Sequence, residues 1–159
     1  MNIQLRGIEF ENFANYKKPA MFLAFPWCRG FKCGKELCQN SPLAQSEMLT
    51  LPVDAIVQSY CYNNITQAIV CGGLEPFDSD YDLIDLICAL RNKTKDDIVI
   101  YTGYTEEELS NKEEYRMILQ HFDNIIVKFG RYIPNQQPHY DEVLGVNLAS
   151  DNQYAKKVS

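Results

Sequence analysis

The chain has 159 residues, 46% apolar and 23% charged, with a net charge of −6. That length fills one core and is short for two, and the negative charge argues against a general binder of nucleic-acid backbone. No apolar run approaches the roughly 20 residues that cross a bilayer, and the opening "MNIQLRGIEF" lacks an apolar leader. The expectation is a single domain over 1–159, located in the cytoplasm, with neither nucleic acid nor membrane as partner. There thiols stay reduced, so a cysteine cluster points to metal or catalysis rather than to disulfides.

"AMFLAF" (20–25) is a short apolar run ending at Pro26 and reads as a buried strand. A loop over 26–41 follows, holding Cys28, Cys33 and Cys38. Residues 41–62 carry helical patterning, interrupted near Pro52. "AIVCGG" (68–73) is a second strand, ended by two glycines. Ser79 and Asp82 have capping-box spacing, and Leu83, Ile87 and Leu90 then share one helical face. "DIVIYTG" (97–103) is a third strand, and Thr105 with Glu108 starts a helix running toward His121. "NIIVKFG" (124–130) is a fourth strand, and "EVLGVNL" (142–148) suggests a fifth. Strands alternating with amphipathic helices predict an α/β fold of βα units on a mostly parallel sheet. Such sheets place chemistry at the C-terminal ends of their strands. The cysteine loop, Gly72-Gly73 and Thr102-Gly103-Tyr104 are therefore expected at one edge.

The spacing of Cys28, Cys33 and Cys38 is C-x4-C-x4-C in a polar loop, with no apolar pattern to explain thiols as core. A structural zinc site wants four ligands, commonly from C-x2-4-C pairs. Three thiolates can hold three corners of a cubane iron–sulfur cluster and leave one iron open. The spacing alone leaves zinc and iron–sulfur both open. Cys61, Cys71 and Cys88 lie in helix or strand patterns and are expected in the core.

"FKC" at the second cysteine and "CQN" at the third resemble the cluster loop of radical S-adenosylmethionine (SAM) enzymes. "CGGLEPF" (71–77) resembles their Gly-Gly-Glu-Pro motif. "DIVIYTGYTEEEL" (97–109), "NIIVKFGRYIP" and "GVNLASDNQ" resemble segments of the activating proteins of anaerobic ribonucleotide reductase, the activases of a glycyl-radical enzyme. The similarity runs over about 20–155. Two departures stand out: the superfamily spacing is C-x3-C-x2-C, and Tyr101 stands where the activating proteins often have tryptophan.

This resemblance implies an incomplete TIM-type barrel in one domain. It implies Cys28, Cys33 and Cys38 as ligands of a 4Fe-4S cluster whose open iron chelates SAM. It implies Gly72, Gly73 and Glu75 at the methionyl amino group, Leu37 at the adenine, and Thr102 and Tyr104 at the ribose or adenine. Asn152 and Gln153 fall on the family's C-terminal motif, and Lys32 and Lys35 could offset cluster charge. The implied activity is reductive cleavage of SAM to a 5′-deoxyadenosyl radical, which abstracts hydrogen from a backbone glycine. The implied partners are the anaerobic ribonucleotide reductase and a flavodoxin-like or other electron donor. The alternatives are a radical SAM enzyme with another peptide or small-molecule substrate, and a non-enzymatic iron–sulfur or zinc module.

Overall fold

The computed structural model describes residues 1–28 and 41–159. In chain order its first elements are β1 (Asn2–Leu5), β2 (Gly7–Asn12), β3 (Ala20–Phe25), α1 (Ser41–Ala44), β4 (Leu49–Pro52) and α2 (Val53–Tyr62). Then come β5 (Ala68–Gly73), a 3-10 turn (Pro76–Asp78), α3 (Asp82–Arg91), β6 (Asp97–Tyr101), α4 (Glu106–Leu109) and α5 (Glu113–His121). The chain closes with β7 (Ile125–Phe129), β8 (His139–Asp141), β9 (Val146–Leu148) and β10 (Tyr154–Lys157).

The four apolar runs read from the sequence, β3, β5, β6 and β7, lie side by side and parallel. Side chains alternate between two covered faces, so the runs are apolar almost throughout instead of alternating with polar residues. One face carries Leu23, Ile69, Ile98 and Val127 and packs under α2, α3 and α5. The other carries Ala20, Val70, Val99 and Ile126 and packs under Tyr16, Leu144 and Leu148. Leu83, Ile87 and Leu90 of α3 are fully buried, as their spacing predicts. Burying each such side chain contributes roughly 1.5–3 kcal/mol.

The sheet has the order β10-β7-β6-β5-β3-β2, with β2 and β10 antiparallel to their neighbours. It ends on two edge strands among the described residues, so the architecture is a mixed α/β sheet and not a closed barrel. The expected helical stretch over 41–62 is split, because Leu49–Pro52 pairs with β1 as a separate two-stranded sheet. That pairing presents Ile3 and Leu5 of β1 to the core, a long-range reward that local patterning does not display.

The Ser79/Asp82 capping box does not form. α3 is preceded by Tyr81, which makes no side-chain cap, and the 3-10 turn is capped instead by Glu75, whose carboxylate accepts from the Phe77 amide. The Thr105/Glu108 box does form, but its helix stops at Leu109 and α5 begins afresh at Glu113. The expected fifth strand is the tip and second arm of a hairpin, β8–β9, outside the main sheet. Asp141 turns it by accepting from the Leu144 and Gly145 amides, with Gly145 at φ +73°. Among the described residues no helix is long and apolar enough to cross a membrane.

Candidate functional site

Parallel strands carry their C-terminal ends to one edge, and a cavity of about 520 Å³ opens there. Cys28 lines it from beyond β3, Gly72 and Gly73 from the end of β5, and Thr102 and Gly103 from beyond β6. Of the three features expected at one edge, Cys28, Gly72-Gly73 and Thr102-Gly103 are thus brought together, although up to 75 positions separate Cys28 from Gly103. Cys28 is exposed. Cys33, Cys38, Leu37, Lys32 and Lys35 lie outside the described residues.

The two glycines have different reasons to be glycine. Gly73 stands at φ +89°, and a Cβ there would lie 2.8 Å from backbone atoms of Ala24 and Phe25. Its conformation and its fit against β3 both need the missing side chain. Gly72 needs space only toward the Phe22 ring, 2.9 Å from where its Cβ would sit.

Glu75 and Tyr104 do not line the cavity; they lie behind it. Glu75 has no solvent exposure. Its Oε1 accepts from Thr102 Oγ1 at 2.8 Å and from the Phe77 amide at 3.2 Å, and its Oε2 accepts from the Gly103 amide at 2.9 Å. Burial pushes its carboxyl up to about 7, although these three hydrogen bonds favour the charged form. Tyr104 donates its hydroxyl to Asp78 at 2.6 Å, and its amide donates to Thr102 Oγ1 at 3.0 Å. Lys112 sits 3.5 Å from that Asp78 carboxylate and 4.8 Å from the Tyr104 ring centre. Burial and the Asp78 carboxylate drive the Tyr104 phenol far above its ordinary range.

Lys128 is a functional candidate that the motif reading passed over. It lines the cavity from within β7, is 7% exposed, and donates to the Gly130 carbonyl at 2.9 Å. An ammonium has three donors, and the described residues supply no other hydrogen-bond acceptor. Burial pushes it down to about 8, with the Glu75 charge pulling the other way. The signal was present in the sequence: one lysine inside the otherwise apolar run "IIVKF". Arg131, bound to Glu108 at 2.9 Å, adds a second cation to the same wall. Gln153 also lines the cavity, donating to the Gly130 carbonyl and accepting from the Ala149 and Ser150 amides, while Asn152 donates to the Arg131 carbonyl. These two residues of the C-terminal motif hold the loop after β7 in place.

The other cysteines separate clearly. Cys71 is buried on the helix-covered face, and its thiol is pushed up to about 12 by burial, which makes it a poor ligand. Cys61 and Cys88 are exposed, on the outer sides of α2 and α3, and not in the core as their patterns suggested. Their neighbours in the helix turn inward and leave them facing water.

The donor set suits an iron–sulfur cluster. An exposed thiol opens onto the cavity, and the buried Lys128 on its wall would offset negative charge on thiolate-ligated iron. Among the described residues no three His, Cys, Asp or Glu side chains gather for a metal. No curated protein matches the chain. A family model described as the 4Fe-4S single cluster domain matches residues 27–153, which takes in the three cysteines at 28, 33 and 38 and the C-terminal ends of β5, β6 and β7. The chain belongs to the 4Fe-4S single cluster domain family.

Proposed function

We propose that the chain is a radical SAM enzyme that generates a glycyl radical on an anaerobic ribonucleotide reductase. The observation that carries this reading is the meeting of Cys28, Gly72, Gly73, Thr102 and Lys128 around one cavity, in a chain of an iron–sulfur family. At the level of the fold, the reading takes 1–159 as one domain and its open sheet as an incomplete TIM-type barrel.

Cys28, Cys33 and Cys38 would hold the 4Fe-4S cluster, and Lys128 with the rim of Gly72, Gly73 and Thr102 would hold SAM. When bound, the cluster supplies the electron that cleaves the sulfonium of SAM to a 5′-deoxyadenosyl radical. The residues of the chain do the placing. With no Cβ at Gly72 and Gly73, the rim lets a ligand approach the backbone closely. The buried ammonium of Lys128, whose one acceptor among the described residues is the Gly130 carbonyl, would pair with a carboxylate, and in a site shielded from water that pairing is strong. Tyr101, whose hydroxyl donates to the Asn15 carbonyl at 2.5 Å, floors the cavity beside Lys128.

The open side of the cavity admits a loop of a separate chain, and a small-molecule site would more often be enclosed. The test is anaerobic reconstitution, followed by assay of 5′-deoxyadenosine with SAM and a reductant such as reduced flavodoxin. Adding the candidate reductase should give a glycine-centred doublet in electron paramagnetic resonance, lost with Cys38→Ala. Cleavage without that doublet rejects the reductase as substrate. A fully loaded cluster with no cleavage rejects the radical SAM reading itself.

A further inference from the structure

We propose that Glu75 is a positioning residue, whose buried carboxylate fixes the Thr102–Gly103 rim of the cavity and does not itself meet the ligand. This rests on the reading of the cavity as a SAM site. It revises the role that the Gly-Gly-Glu-Pro resemblance assigns to this side chain.

The geometry carries the argument. Glu75 stands two residues beyond Gly73, yet its carboxylate turns away from the cavity and has no exposure. A carboxylate offers about four acceptor sites. Three are filled by donors of this chain: Thr102 Oγ1, Gly103 N and Phe77 N. Thr102 and Gly103 are themselves lining residues, so the carboxylate holds the cavity wall from behind. The link continues outward. Thr102 Oγ1 accepts from the Tyr104 amide, and the Tyr104 carbonyl accepts from the Gly130 amide at 3.0 Å. On the other side the Leu74 amide donates to the Phe25 carbonyl at 3.1 Å. The ends of β3, β5, β6 and β7 are thereby joined, with the Glu75 side chain spanning the step from β5 to β6. Three converging donors also explain the residue type, because an ionised carboxylate accepts at every position and donates at none.

Glutamine separates the two roles. It can accept from the Gly103 amide and donate to the Thr102 hydroxyl, which rotates, so it keeps two of the three bonds. A direct charge contact with the ligand's ammonium would be lost in Glu75→Gln, weakening SAM about tenfold or more. Positioning predicts that Glu75→Gln binds SAM within about threefold of wild type on the cluster-loaded protein. Thr102→Val should weaken binding about tenfold and should speed hydrogen exchange at the segment containing Gly103. The double variant should be no weaker than Thr102→Val, because that change by itself already removes the bond between Thr102 and residue 75.

Tenfold loss in Glu75→Gln with unchanged exchange at Gly103 overturns the proposal, as do independent effects in the double variant. Should wild type not bind SAM, the radical SAM reading falls, and exchange at Gly103 in ligand-free Glu75→Ala decides positioning alone. Acceleration supports it and an unchanged rate overturns it. If Glu75→Ala does not fold, the same comparison is made with Glu75→Gln, where a weaker amide acceptor replaces the carboxylate and a smaller acceleration is expected.

Discussion

Gly73→Ala is the sharpest single test of how the site is built. Gly73 lies at φ +89°, in the region that costs an L-residue roughly 1–2 kcal/mol. An added Cβ would lie 2.8 Å from Ala24 Cα and Phe25 N, and 2.9 Å from Ala24 C. These are backbone atoms of the neighbouring parallel strand, and they cannot swing aside as the tip of a side chain can. Relieving the contact means displacing β3 at the point where it delivers Cys28, an overpacking cost of about 1–3 kcal/mol. Together the two effects destabilise by about 2–5 kcal/mol, against a typical domain stability of roughly 5–15 kcal/mol. Gly72→Ala is the control. Its Cβ would meet only the Phe22 ring, which is half-buried and able to turn, so the expected loss is about 1 kcal/mol or less. Anaerobic urea denaturation of the cluster-loaded proteins measures both, with equal m-values showing that the unfolded states are comparable. A Gly73→Ala midpoint corresponding to less than about 0.5 kcal/mol of loss would refute the strain argument. So would a larger loss in Gly72→Ala.

Further tests concern the thiols and the buried charges. Alanine at Cys28, Cys33 or Cys38 should abolish iron content and visible absorbance, whereas alanine at Cys61, Cys71 or Cys88 should preserve them; full iron retention in Cys33→Ala would sink the ligand assignment. Burial holds Lys128 at about 8, below the usual 10.5, so the folded state gives up its proton first and stability should rise between about pH 8 and 10.5. That shift corresponds to about 3 kcal/mol, and Lys128→Met should remove the rise while weakening SAM binding. Glu75 has the opposite sign. Its carboxyl, held at about 7, keeps its proton in the folded state after the unfolded chain has lost it near 4.5, so its contribution falls from about pH 4.5 to 7. Glu75→Gln should flatten that window, and an unchanged wild-type slope in the variant would show that another group titrates there.

Strand content was legible wherever burial on both faces imposed an unbroken apolar run. "AMFLAF" and "AIVCGG" form β3 and β5 with the bounds their composition predicts. The gathering of Cys28, Gly72-Gly73 and Thr102-Gly103 also followed from sequence, because parallel strands leave all their C-terminal ends on one side. The Thr105/Glu108 cap was legible because its bonds are local. What the tertiary structure alone decided depends on partners distant in sequence. Leu49–Pro52 is a strand only because β1 lies beside it, and β2 and β10 are strands only because β3 and β7 offer open edges. Glu75 reads as a motif residue facing a ligand, yet donors 27 and 28 positions away turn its carboxylate inward. Lys128 stands inside an apolar run, but only the fold buries its ammonium and, among the described residues, gives it the Gly130 carbonyl as acceptor. Composition and periodicity record how much a segment is buried. The direction in which a buried charge points is set by which donors the fold brings to meet it.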